Sequence, residues 1–174
     1  MTARVVLIGL PGAGKSATGR RLAKILAVPF VDSDELVEAA VGRGVRQVFA
    51  EDGEAAFREH EAAAVACALS GFDGVLALGG GALGTPSTRE ALAAAGVPVV
   101  LLRAPLATLQ ARVGDGRTRP LLAADPPARL AQLAAEREPL YLAAATFTVH
   151  TQHRGPGQVA AQIAARLHEP ATKR

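Results

Sequence analysis

The sequence has a single cysteine, no tryptophan and only one tyrosine among its 174 residues. Because one cysteine cannot form a disulfide within the chain, we expect a reducing compartment, with Cys67 a small hydrophobic residue buried on a helix. Apolar runs long enough to cross a membrane are also lacking, and the run before residue 10 is too short for a secretory signal. These absences predict a cytoplasmic protein with no membrane partner.

A large excess of charge of one sign is lacking as well. The 19 Lys and Arg residues are nearly balanced by 16 Asp and Glu residues, which leaves a net charge of +3. A nucleic-acid partner would call for a basic stripe, so we expect none. Hydrophobic residues make up 49% of the chain and charged residues 20%, a composition that favours one globular domain.

What the sequence does have is a phosphate-binding loop. Residues Gly9 to Ser16 read GLPGAGKS and match the pattern G-x-x-x-x-G-K-[ST]. An apolar stretch before the loop predicts a buried strand and the stretch after it predicts a helix, so backbone N–H groups and the positive end of the helix face the same point. Lys15 can then reach the β- and γ-phosphates and Ser16 can bind Mg²⁺. The chain is therefore predicted to bind a nucleoside triphosphate.

Strand-like runs alternate with helical patterns along the chain, which is typical of an α/β fold with a parallel sheet. The predicted strands span residues 5–8, 29–31, 75–78, 97–102 and 147–149. The predicted helices span residues 15–27, 33–41, 53–69, 88–95, 105–113, 126–142 and 156–167. We expect one domain over residues 1–168, with 169–174 as a flexible tail.

Candidate site residues follow the predicted strands, because open parallel sheets bind ligands at the carboxyl ends of their strands. Asp32 and Asp34 follow the second strand. Asp32 is placed to hold Mg²⁺ and Asp34 to accept a hydroxyl proton, with helix capping as the alternative role. The third strand is followed by Gly79, Gly80 and Gly81, which favours a close approach of the backbone to a ligand.

Several arginines are further candidates. Arg58 and Glu61 lie three residues apart and therefore share one helix face. This spacing fits a surface ion pair or an arginine oriented toward an anionic substrate, and alone it favours the surface pair. Arg112, Arg117, Arg119 and Arg137 follow the fourth strand, and Arg119 is expected to close over the γ-phosphate from a Gly-rich loop.

Taken together, these motifs resemble the shikimate kinase family over nearly the whole chain. The resemblance rests on the phosphate-binding loop, the Asp-x-Asp pair, the three glycines and the segments 49–61, 119–122 and 137–141. It implies a three-layer P-loop kinase fold with a five-stranded parallel sheet flanked by helices. It also implies ATP-dependent phosphorylation of the 3-hydroxyl of shikimate, in the pathway to aromatic amino acids. ATP and Mg²⁺ are the implied cofactors, and we expect a monomer.

The resemblance also implies a role for each matching residue. The residues implied for ATP are Gly12, Ala13, Gly14, Lys15, Ser16, Ala17, Arg112, Arg119, Arg154 and Pro156. Of these, Arg112, Arg154 and Pro156 are the ones implied to lie against the adenine. Those implied for shikimate are Asp34, Arg58, Gly79, Gly80, Gly81 and Arg137, with helices at about 33–61 carrying part of this set. Ser16 and Asp32 would hold the metal. Lys15, Asp34 and Arg119 would serve catalysis, Arg119 from a lid at about 112–125.

Two other functions stay open at this point. Another small-molecule kinase on the same scaffold, such as a gluconate or nucleoside monophosphate kinase, would share the phosphate-binding loop. A nucleotide-binding switch would need no acceptor site, and the sequence lacks the Asn-Lys-x-Asp pattern that reads guanine. Asp34 together with Arg58 suits an acceptor that carries both hydroxyl groups and an acid.

Overall fold

A five-stranded parallel sheet forms the centre of the molecule. The structure is a computed structural model, and it describes residues 2–113 and 126–168. The strands are β1 (Val5–Ile8), β2 (Phe30–Asp32), β3 (Val75–Ala77), β4 (Val99–Arg103) and β5 (Phe147–His150). The helices are α1 (Lys15–Leu26), α2 (Ser33–Val41), α3 (Val45–Glu51), α4 (Gly53–Gly71), α5 (Pro86–Ala95), α6 (Leu106–Val113), α7 (Pro126–Ala144) and α8 (Pro156–His168), with a 3₁₀ turn at Ala82–Gly84.

The strand order is β2-β3-β1-β4-β5, and every pair is parallel. Strand β1 lies at the centre, with Leu7 opposite Ala77 on one side and Val100 on the other. All four residues of β1 are buried, as expected for an apolar strand that helices cover on both faces. The loops that follow β1, β2 and β3 therefore leave the same edge of the sheet side by side.

Helices cover both faces of this sheet. On one face, Leu22 of α1 and Ile163 of α8 pack against Leu7 and the residues of neighbouring strands that point the same way. On the other face, Val65 of α4 and Leu92 of α5 pack against the alternate strand residues. The predicted three-layer α/β fold with a five-stranded parallel sheet is confirmed.

The bounds of the predicted strands and helices agree with the structure to within two residues, but two details differ. Helix α3 is not among the predicted helices; it is short, lacks a side-chain cap, and packs through Val48 against Phe57. The expectation of a buried Cys67 is wrong, because this cysteine is exposed. The buried stripe of α4 runs through Phe57, Glu61, Val65 and Ala68, and Cys67 lies off it.

The predicted lid at about 112–125 lies outside the described residues except for Arg112 and Val113, so Arg117 and Arg119 are not described. The predicted tail at 169–174 also lies outside them. In the part of the chain that is described, none of the helices combines the length and apolar character that a bilayer crossing requires.

Candidate active site

The phosphate-binding loop joins β1 to α1 in a backbone conformation that favours glycine. The φ angles of Gly9, Gly12 and Gly14 are 145°, 82° and 92°, a region that residues with a Cβ rarely adopt. A Cβ on Gly9 would also come within 2.5 Å of the carbonyl oxygen of Leu102 in β4. The glycines therefore let the loop fold tightly against the sheet and place its N–H groups at the positive end of α1, where anions bind.

Lys15 is the first residue of α1, and its side chain folds back over the loop. Its Nζ donates hydrogen bonds to the carbonyl oxygens of Gly9 at 2.7 Å and Leu10 at 3.2 Å. These contacts hold the ammonium group beside the N–H groups of the loop. Lys15 lines a cavity of about 400 Å³ together with Gly12, Gly14, Ser16, Ala17 and other site residues.

Ser16 and Asp32, the two residues predicted to hold the metal, are in direct contact with each other. The Ser16 hydroxyl donates to Asp32 Oδ2 at 2.8 Å, while Asp32 Oδ1 accepts the Asp34 N–H at 3.2 Å and so caps α2. The capping role and the proposed metal role of Asp32 are thus compatible. The described residues contain no cluster of three His, Cys, Asp or Glu that could hold a metal alone. One carboxylate and one hydroxyl fit Mg²⁺, which takes its remaining ligands from phosphates and water.

Asp34 lines the same cavity as the phosphate-binding loop. Its side chain is partly buried, and this burial is the main reason why its pKa is raised to about 6. The nearby carboxylates of Asp32 and Glu61 raise the pKa further, whereas Lys15 and Arg58 oppose the rise. A carboxylate with a pKa near neutrality is well suited to accept a proton from a hydroxyl group.

Two arginines from different helices converge on the glycines that follow β3. Arg137 of α7 donates from Nη1 to the Gly80 carbonyl oxygen at 2.8 Å. The guanidinium of Arg58 in α4 lies where a Cβ on Gly81 would be, so a side chain at that position would displace the guanidinium. A Cβ on Gly79 would likewise come within 2.5 Å of Glu61 Oε1. The structure thus gathers Arg58, Arg137 and the three glycines around one spot.

The pair formed by Arg58 and Glu61 is not a surface ion pair. The Glu61 side chain is 1% exposed and the Arg58 side chain 16%, and Arg58 Nη1 donates to Glu61 Oε2 at 2.5 Å. Burial raises the pKa of Glu61, and Arg58 opposes that rise. A buried carboxylate needs such a partner, so Glu61 fixes the guanidinium in place. Of the two roles left open by the spacing, the structure favours an arginine oriented into the site.

The residues predicted for adenine are only partly brought together. Arg112 donates to the carbonyl oxygen of Thr151 at 2.7 Å, to its hydroxyl at 3.0 Å and to Gly12 O at 3.3 Å. It therefore ties the end of α6 to the phosphate-binding loop and to the loop after β5. Arg154 instead donates to Gln162 at 2.5 Å on the exposed side of α8, whose first residue is Pro156. The adenine roles of these residues stay predictions.

Two site residues have no predicted role from the sequence. The buried Ser33 hydroxyl accepts the Gly79 N–H at 2.8 Å and donates to Glu61 Oε1 at 3.3 Å. The Tyr141 hydroxyl donates to the Gly80 carbonyl oxygen at 2.5 Å. Ser33 stands between two candidate aspartates, and Tyr141 follows Arg137 by four residues on the same helix face. Those positions are the signals that could have identified them.

The chain is similar to known proteins over nearly its full length. A family model described as shikimate kinase matches residues 11–168. A curated protein named shikimate kinase from Mycobacterium avium is 49% identical over 173 residues, which cover 99% of this chain and 96% of that protein. A second, from Salinispora tropica, is 49% identical and covers 93% of this chain and 96% of that protein. The solved structure of a shikimate kinase from Acinetobacter baumannii in complex with shikimate superposes with a TM-score of 0.92 at 32% identity, covering 99% of this chain and 96% of that one.

The raised pKa of Asp34 predicts a pH-dependent effect of Asp34→Asn on stability. Because the folded-state pKa lies above the unfolded-state value, Asp34 costs no stability below about pH 4, and the cost grows as the pH rises from about 4 to about 6 and stays constant above that. A pKa of about 6 instead of 3.8 corresponds to a cost of up to about 3 kcal/mol at neutral and alkaline pH. Asp34→Asn should therefore increase the free energy of unfolding at about pH 8 and change it little at about pH 4, as measured by urea titration.

Asp73 provides a control, because its replacement should change the free energy of unfolding in the opposite direction. Arg4 lowers the pKa of this exposed carboxyl, so Asp73 adds stability at neutral pH and loses it as the pH falls. Asp73→Asn should therefore decrease the free energy of unfolding slightly at about pH 8. An Asp34→Asn variant that is no more stable than the parent protein at that pH would contradict the assignment of a raised pKa.

Proposed function

The chain belongs to the shikimate kinase family, and we propose that it transfers the γ-phosphoryl group of ATP to the 3-hydroxyl of shikimate with the residues gathered at the carboxyl edge of its sheet. The observation that carries this assignment is the convergence of Arg58 and Arg137 on Gly80 and Gly81. Gly80 lines the same cavity as Lys15 and Asp34. The proposed site for a small organic acid thus adjoins the proposed site for the triphosphate.

The donor side of the site, formed by the phosphate-binding loop with Lys15, Ser16 and Asp32, is suited to bind phosphates. The N–H groups of the loop and the ammonium of Lys15 offset the charge of the phosphate oxygens, and this charge must be balanced throughout phosphoryl transfer. When Mg²⁺ is bound, Ser16 and Asp32 would hold it, and the ion would supply further positive charge to the phosphates. Arg112 also lines this cavity, and it would face the nucleoside part of ATP.

On the acceptor side, the residues hold a carboxylate and present a hydroxyl group. Arg58 and Arg137 would bind the shikimate carboxylate through charge-assisted hydrogen bonds, which are about twice as strong as neutral ones. The N–H groups of Gly80 and Gly81 would donate further hydrogen bonds to it. With the carboxylate fixed there, the 3-hydroxyl would lie between Asp34 and the phosphate-binding loop.

The reaction then depends mainly on position and charge. Asp34 would accept a hydrogen bond from the 3-hydroxyl and take its proton as the phosphoryl group is transferred. Because phosphoryl transfer has a loose transition state, holding the two reactants in line contributes most of the rate increase. Arg119 lies outside the described residues, and its role over the γ-phosphate is proposed from the family resemblance alone. The cytoplasmic location and the monomeric state also stay predictions.

The acceptor is tested most simply by ADP release. Purified protein with ATP and Mg²⁺ should release ADP rapidly with shikimate, and only at background rates with gluconate, with AMP or with no acceptor. Asp34→Asn should abolish the shikimate-dependent release while ATP binding is retained. The matched control is Glu35→Gln, which removes the next carboxylate along α2. Glu35 pairs with Arg20 on the surface, so the Glu35→Gln variant should keep the parent rate of ADP release. Stimulation by gluconate but not by shikimate would refute the proposed function.

The arginine clamp predicts a specific loss of acceptor affinity. Arg58→Ala should raise the KM for shikimate at least about tenfold, which corresponds to about 1.4 kcal/mol, and leave the KM for ATP unchanged. Because removal of Arg58 leaves Glu61 as an unpaired buried charge, Arg58→Lys is the safer second variant. Lysine keeps the positive charge but loses the forked geometry of the guanidinium, so it should give an intermediate KM.

Arg43→Ala is the matched control for this experiment. Arg43 also pairs with two carboxylates, Glu51 and Asp52, but it does so away from the site. Its replacement should leave both KM values unchanged. An unchanged KM for shikimate in Arg58→Lys and Arg58→Ala would contradict the clamp.

A further inference from the structure

The carbonyl oxygen of Gly80 accepts two side-chain hydrogen bonds from one helix. Arg137 Nη1 donates to it at 2.8 Å and the Tyr141 hydroxyl at 2.5 Å. Both donors lie on α7, four residues apart and therefore on the same face. A carbonyl oxygen has two lone pairs, so both are used within the protein and this oxygen is not left for a ligand.

Fixing this carbonyl also fixes the N–H group on the other side of the same peptide bond. The peptide unit is planar, so the direction of the Gly80 C=O sets the direction of the Gly81 N–H. Three consecutive glycines would otherwise leave this segment with great conformational freedom. At its start, the Gly79 N–H is held by the Ser33 hydroxyl, and the Gly79 carbonyl accepts the Ala82 N–H at 3.0 Å. Within the described ranges, the N–H groups of Gly80 and Gly81 have no protein acceptor.

The Tyr141 hydroxyl has a role that can be separated from that of the ring. The residue is 3% exposed and belongs to the apolar cluster that includes Leu78, Leu83 and Leu101, where a phenylalanine ring would pack equally well. Burial raises the pKa of Tyr141 to about 12, so the hydroxyl stays protonated and donates at any working pH. Arg137, Arg58 and Glu61 are all close enough to influence it, which places it at the acceptor side of the site.

We propose that Tyr141 is a positioning residue for the acceptor: its hydroxyl, together with Arg137, fixes the Gly80 carbonyl and thereby aims the Gly81 N–H at the anionic group of the acceptor. The residue itself does not touch the reacting atoms. This inference rests on the acceptor site proposed above. It adds a backbone N–H group whose direction favours an acceptor that carries an anionic group. Arg137 then serves twice, because one guanidinium nitrogen holds Gly80 while the others would bind the carboxylate.

The test is the kinetics of Tyr141→Phe. This change removes one hydrogen bond, so we expect the KM for shikimate to rise about fivefold. The kcat and the KM for ATP should change less than about twofold, because the donor side and the reacting atoms are untouched. A neutral acceptor in which an amide replaces the carboxylate should show a smaller effect of the substitution, since the aimed N–H then meets no charge.

Thr146→Val is the matched control. Thr146 also bonds a backbone atom through its hydroxyl, accepting the Val99 N–H at 3.0 Å, but it does so away from the acceptor site. It should lower thermal stability without changing the KM for shikimate. An unchanged KM in Tyr141→Phe, or an equal rise in the KM for ATP, would overturn the positioning role. If the parent protein itself fails to phosphorylate shikimate, the proposed function fails instead, so the two failures are distinguishable.

Discussion

The carboxylate of Glu61 is a buried charge on which the whole acceptor side of the site depends. Its side chain is 1% exposed, and it binds Arg58 with one oxygen and the Ser33 hydroxyl with the other. Such a charge is tolerated in the interior only when it is paired and hydrogen-bonded. Because Ser33 in turn holds the Gly79 N–H, this one carboxylate links helices α2 and α4 to the glycine segment after β3. The position of the Arg58 guanidinium follows from that constraint.

The order of the strands brings this acceptor side next to the donor side. Strands β2, β3 and β1 are neighbours in that order, so the aspartates after β2 and the glycines after β3 lie beside the phosphate-binding loop after β1. Asp34 consequently lies between positive and negative groups. Burial and the neighbouring carboxylates raise its pKa to about 6, against the opposing effects of Lys15 and Arg58. The same arrangement that makes Asp34 costly for stability makes it a suitable proton acceptor.

Features that depend only on residues close together in the chain could be predicted from the sequence. The phosphate-binding loop, its flanking strand and helix, and the capping position of Asp32 depend on residues within a few positions of one another. The role of Arg58 could not be decided from spacing, because its burial depends on how α4 packs. Ser33 and Tyr141 were missed for a similar reason, since their partners Gly79 and Gly80 lie far away in the chain. The exposure of Cys67 depends on which stripe of α4 faces the core, and a helix rich in alanine leaves that stripe poorly marked.

The central claim is that two guanidinium groups and the glycine segment between them define the acceptor, and a crystal structure of this protein with shikimate tests it most directly. We expect the carboxylate oxygens of shikimate to lie within about 3 Å of guanidinium nitrogens of both Arg58 and Arg137. A ring hydroxyl should lie within the same distance of an Asp34 oxygen. A carboxylate bound away from both arginines, for example at Lys15 in the phosphate-binding loop, would contradict the account.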